Sequence, residues 1–188
     1  MRILVLLLLF ASSAQAKLDI QHWTTPEGAK VFFAQTKGLP ILDIALNFDA
    51  AASRDGNQFG LASLTSALLG TATKYHNEEQ IINAFEAVGA QFSTSSLKDM
   101  SIVSLRTLTR QSILKKSLDT FTEVITQPSF KQKYLTREKR QTLRSIEAGK
   151  QSPANIASLA FDKAVFVDHP YAHPKIGTQE SINKISLQ

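Results

Sequence analysis

The sequence has no cysteine, one tryptophan, three tyrosines and two methionines. Without a thiol there is no disulfide framework and nothing to carry a lipoprotein anchor. No apolar run is long enough to cross a bilayer as a mature helix; the N-terminal "ILVLLLLFA", Ile3 to Ala11, falls well short. No stretch has the composition of a disordered tail, and there is no internal repeat and no linker. Aromatics other than phenylalanine are scarce. No Lys/Arg block is joined to a nucleic-acid motif, so the net charge of +5 argues for no nucleic-acid partner. The densest basic cluster, Lys131 to Arg144, alternates with apolar residues as a solvated helix face does. What remains is 188 residues, 43% hydrophobic and 20% charged. That suits one globular domain or a piece of a larger one.

The N-terminus has a short basic start, Met1-Arg2, then the apolar run, then the small-x-small pattern Ala14-Gln15-Ala16. This is the layout of a secretory signal peptide, residues 1–16, cleaved after Ala16. A buried N-terminal helix is the competing reading. Export to a bacterial periplasm is the expectation, with the fold relying on core packing alone.

Ile20 to Thr24, Ala29 to Gln35 and Ile41 to Phe48 read as a three-strand meander, turned at "PEG" and at Lys37-Gly38. In the third strand Leu42, Ile44, Leu46 and Phe48 share a face. A helix is expected from Phe59 to about Leu69. Asn77 should cap a second, with Glu78 and Glu79 in its first turn, Ile81, Ile82, Phe85 and Val88 on its apolar face, and Gly89 at its end. Gln91 to Ser95 and Met100 to Leu108 read as strands. An amphipathic helix then runs up to Pro128, a charged helix spans about Lys131 to Lys150, and Ser152-Pro153 opens another, Ala154 to Val167. The order β-β-β-α-α-β-β-α-α-α predicts an α+β domain, with helices packed on one face of an antiparallel sheet.

Three stretches carry a resemblance. They are "LDIALNFDAAASRDGNQFGLASLTSALLGTAT", "AFEAVGAQFSTSSLKDMSIVSLRTL" and "HPYAHPKIGTQESI". In order and spacing they resemble the N-terminal domain of the M16 metallopeptidases, the pitrilysin, insulinase and mitochondrial processing peptidase family, from about Asp19 onward. The resemblance implies an M16 peptidase-like domain over residues 17–188. That family continues into another helix and further strands past the position of Gln188, so the domain is expected to be incomplete at its C-terminus.

Active members of that family carry H-x-x-E-H on the helix that this chain writes as "FGLASLTSALLG". Residues four apart face the same way, so two imidazoles can hold one Zn²⁺ from a single turn. The Glu between them serves the metal-bound water as general base. A Glu on a later helix completes the ligands. By the resemblance, the first His falls on Ser63, the Glu on Ser66, the second His on Ala67 and the distal Glu on Ser145. Glu147 is a poor substitute, because two residues turn it about 200° around a helix. All four positions are vacant: no catalytic residue, no zinc ligand and no cofactor of this chain's own is expected.

Plainer readings compete. The stripe Ser63, Ser66, Ala67 and Gly70, opposite Leu61, Leu64 and Leu68, suits close backbone packing as well as it suits the wall of a chamber. His169 and His173 are four apart, but Pro170 and Pro174 break any helix that would align them. His22 and His76 have no ligand partner in the sequence. Ser63 or Ser66 as a nucleophile would need a base, and none lies at a recognisable spacing. The resemblance implies a non-catalytic subunit that pairs, as a heterodimer, with a zinc-bearing M16 homologue and helps hold peptide substrates. A stand-alone peptide-binding scaffold, or a hydrolase with other residues, are the alternatives.

Overall fold

The computed structural model describes residues 19–187. The proposed signal peptide lies outside them. Among the described residues, no helix is long and apolar enough to cross a membrane. The chain divides into two compact units, one ending at Leu39 and the other beginning at Pro40.

The described part of the first unit is a hairpin. Strand β1 (Ile20–Thr24) pairs antiparallel with β2 (Lys30–Ala34), Ile20 opposite Ala34 and Thr24 opposite Lys30.

The second unit is built on a three-stranded antiparallel sheet, β3 (Ile41–Phe48), β4 (Gln91–Ser96) and β5 (Ser101–Leu108), in the order β3-β5-β4. The expected meander therefore stops after β2: β3 takes β5 as its partner, and the described strands form two sheets rather than one. The register gives the reason. Ile44 stands opposite Leu105 and Leu46 opposite Val103. Two alternating strands thus place their apolar residues on one face, and any one-residue slip would turn them outward. Strand β2 is exposed at every residue but Val31 and offers no such face.

Helices α1 (Leu61–Leu68), α2 (Glu78–Glu86), α3 (Gln111–Thr126), α4 (Gln132–Gly149), α5 (Pro153–Val165) and α6 (Gln179–Lys184) complete the unit. Asn77 caps α2 as expected, and reciprocally: its side chain accepts from Gln80 N while Gln80 Oε1 accepts from Asn77 N. Gly89 closes that helix, where Ala90 N reaches back to Phe85 O. Ser152 caps α5, with Pro153 in its first turn. Helix α1 is shorter than expected, because Gly60 is left-handed before it and Leu69 is extended after it. The six-residue α6 was not anticipated; Thr178 caps it by accepting from Ser181 N at 3.1 Å.

Two apolar clusters hold these elements. The first joins Leu64 and Leu68 of α1, Tyr134 and Leu135 of α4, and Ile182 of α6. The second packs Ile81 and Phe85 of α2, with Phe121 and Val124 of α3, against Val103 and Leu105 of β5. The rings of Phe85 and Phe92 stack there at 5.2 Å.

Candidate functional site

The vacant positions sit on α1 and α4, which the first apolar cluster holds together. The start of α1 is fixed by Asp55. Its buried carboxylate accepts from Gly60 N at 2.8 Å and Ala62 N at 2.9 Å, satisfying amides that the helix leaves unpaired. Burial pushes the Asp55 carboxyl up, and the amides of Ala62, Gly60 and Leu61 pull it part of the way back. Asp55→Ala would strand those amides away from water. It is expected to lower the unfolding free energy by about 2 kcal/mol in a urea titration.

The segment from His173 to Gly177 lies over this helix start. His173 stacks on Phe59 at 3.7 Å, and Ser181 Oγ donates to Phe59 O at 2.6 Å. Ser63 Oγ donates to Lys175 O at 2.8 Å. The position where the family would place its first His is thus committed to a backbone carbonyl of this strap. Ser66 is half-buried, and its own carbonyl accepts from Thr94 Oγ1 of β4 at 2.7 Å. Ala67 is exposed. Ser145 is exposed beside Ile146 and lines a cavity of about 660 Å³ between α4, α5 and the strap. Ser66 lines a different cavity, of about 330 Å³, with Phe48, Leu69 and Val103. The structure therefore brings Ser63 and Ser145 to the same strap, while Ser66 lines the other cavity.

This donor set does not fit zinc. It offers hydroxyls and a methyl, and the Ser63 hydroxyl is already spent on Lys175 O. Among the described residues no group of three or more His, Asp or Glu is close enough to hold a metal ion. Neither Ser63 nor Ser66 has a base as hydrogen-bond partner among the described residues.

The histidines are engaged elsewhere. His22 stacks on Phe32 at 6.4 Å. His169 Nδ1 accepts from Tyr171 N at 3.2 Å. His76 Nδ1 lies 2.7 Å from Glu123 Oε1, and the buried Thr73 hydroxyl donates to the same oxygen. Burial works against the Glu123 charge, but Thr73 and His76 outweigh it and hold the carboxyl below its ordinary range. This network ties the loop before α2 to α3.

Lys98 forms a second node that sequence reading missed. Its ammonium meets Asp162 Oδ2 at 2.7 Å and Tyr171 O at 3.2 Å, with the Phe166 and Tyr171 rings at 5.3 Å and 5.0 Å. The Tyr171 hydroxyl donates to Asp99, which raises the phenol above its ordinary value. The β4–β5 turn is fastened in this way to α5 and the segment after it.

The family model for insulinase, peptidase family M16, matches residues 33–179. The non-peptidase homolog YmxG of Helicobacter pylori is 26% identical over 158 residues, 84% of this chain and 36% of its own length. An uncharacterized zinc protease of Rickettsia bellii is 23% identical over 151 residues, 78% of this chain and 36% of that protein. The crystal structure of a peptidase M16 inactive domain from Pseudomonas fluorescens superposes with a TM-score of 0.88 at 40% identity. That match covers 90% of this chain and 41% of the other. A Helicobacter pylori protease superposes with a TM-score of 0.81 at 18% identity, over 91% of this chain and 41% of that one, a likeness of fold. This chain thus spans little more than a third of the curated relatives it matches.

Proposed function

The chain belongs to the insulinase family, peptidase family M16, and we propose that it is a non-catalytic, exported member that holds extended peptides beside a zinc-bearing M16 homologue. One observation carries this reading. The motif helix keeps its packing face, Leu64 and Leu68 buried against α4, while Ser63, Ser66, Ala67 and Ser145 offer nothing that binds zinc or takes a proton. The names of two similar proteins, a non-peptidase homolog and an inactive domain, point the same way. With its proposed signal peptide cleaved after Ala16, this chain would work in the periplasm.

Peptide holding has a physical route. Strand β4 is one of the two edges of its sheet, and its outer side has no strand partner among the described residues. An extended peptide can add there by main-chain hydrogen bonds, which tolerate many sequences. Thr94 fastens that strand to the α1 backbone at Ser66, so an added peptide would run beside the motif helix.

The test is co-expression with a zinc-bearing M16 homologue, followed by affinity purification, metal analysis and a peptide-cleavage assay. The isolated chain is expected to hold no stoichiometric zinc and cleave nothing. The co-purified pair is expected to cleave and to lose activity on chelation. Failure to co-purify would leave a stand-alone scaffold. Cleavage by the isolated chain, lost on chelation, would overturn the non-catalytic reading.

A further inference from the structure

We propose that the cavity beside Ser145 is a pocket for an apolar side chain of a peptide flanked by acidic residues, an inference that rests on the peptide-holding reading above. At about 660 Å³ it has the volume of a ligand site. Its apolar walls come from three elements: Ile146 of α4, Ile156 and Leu159 of α5, and Pro174 and Ile176 of the strap.

The charged lining leans to one sign. Asp162 is the sole carboxylate among the lining residues, and the Lys98 ammonium holds it at 2.7 Å. Lys175 also lines the cavity, and its ammonium has no ion-pair partner among the described residues. Lys150 is paired only with the exposed Glu147, a contact that water screens to little. The hydroxyls of Ser145 and Ser158 make no hydrogen bond among the described residues. The pocket is therefore rich in donors and positive charge, and its one acceptor carboxylate is already occupied. A cationic occupant would be repelled there. An occupant with carboxylates would be received.

The donors also lie on separate walls, Ser145 on α4, Ser158 on α5 and Lys175 on the strap. One carboxylate head at the end of an apolar tail would use donors gathered in one place. A chain with several acceptors along its length uses donors that are spread. This favours a peptide over a fatty acid. It also gives the serine at position 145 a consequence. A glutamate at that position would add negative charge to this wall and offset the lysines, and serine leaves the wall neutral there.

The experiment is fluorescence polarisation with the full chain and two labelled decapeptides, one alternating leucine with glutamate and one alternating leucine with lysine. The acidic peptide is expected to bind at least about tenfold more tightly. Lys175→Glu and Ser145→Glu should each weaken it by about tenfold, since each adds a like charge to the pocket wall. Ser158→Phe should abolish binding by filling the cavity, with circular dichroism confirming that the variants fold. Binding indifferent to Ser158→Phe would overturn the pocket. Equal binding of both peptides would overturn the pocket's charge selection and leave peptide holding in place. Binding of neither would overturn both readings. Saturable binding of dodecanoate without either peptide would assign the cavity to a fatty acid and overturn the proposal.

Discussion

Leu64→Ala is expected to lower the unfolding free energy by about 3 kcal/mol, as read from chemical denaturation. Leu64 is 2% exposed and stands where α1 meets α4 and α6. Truncation removes buried methyl groups at a junction of three helices that cannot all close in on the gap. The neighbouring Ser63→Ala is expected to cost no more than about 1 kcal/mol, because it deletes a single hydroxyl bond. A chelator should leave both unfolding midpoints unchanged. A chelator-sensitive midpoint, or a Leu64→Ala cost no larger than that of Ser63→Ala, would mean that a metal or the polar face, rather than the apolar face, dominates the stability of this helix.

The contrast between these two substitutions explains how such a chain can exist. The motif helix has two faces with separate energetics. Leu61, Leu64 and Leu68 face the core, and their contribution scales with buried area. Ser63, Ser66 and Ala67 face the strap, β4 and solvent, where the family keeps its chemistry. Losing the second set costs the fold little. On the proposed reading the scaffold stands without the reaction, because apolar burial rather than the polar face supplies most of its stability.

Local signals were legible in the sequence. The boundaries of β1 and β3, the Asn77 cap with its acidic first turn, and the alternation of β5 all depend on residues a few positions apart. The apolar face of α1 follows from helical spacing in the same way. Long-range partners were not legible. Nothing near Ile41 says that β3 must lie against β5 rather than β2, and that choice awaits the core. His76 and Glu123 are 47 residues apart, and Lys98 and Asp162 are 64 apart. Asp55 left a fainter mark: an acidic residue shortly before a helix start is a capping signal, but it sits six positions ahead of Leu61 in a loop that reads as a plain turn. Of the candidate site, Ser63, Ser66, Ala67 and Ser145 could be singled out only through the resemblance, one residue at a time. That Ser63 is spent on Lys175 O, and that Ser145 and Ser66 line separate cavities, needed the strap to be placed.

Gly177→Ala is expected to cost about 3 kcal/mol and to loosen this strap from the helix it covers. Gly177 has a φ of +82°, where a side chain carries roughly 1–2 kcal/mol of strain. The added Cβ would also fall 2.3 Å from Phe59 O and 2.9 Å from Phe59 C. Those are backbone atoms, so no rotamer change relieves the collision. Moving the strap away breaks the Ser181–Phe59 and Ser63–Lys175 hydrogen bonds together. Gly56→Ala is the control. Its φ of +57° imposes similar strain, but nothing lies within 4 Å of the added Cβ. Denaturation of both variants separates strain from collision, and limited proteolysis reports whether residues 173–178 have lifted. The Gly177 variant is expected to lose about twice the stability of the Gly56 variant and to be cut in the strap. Equal losses and an uncut strap would mean that the Gly177–Phe59 contact is not what holds this segment against the motif helix.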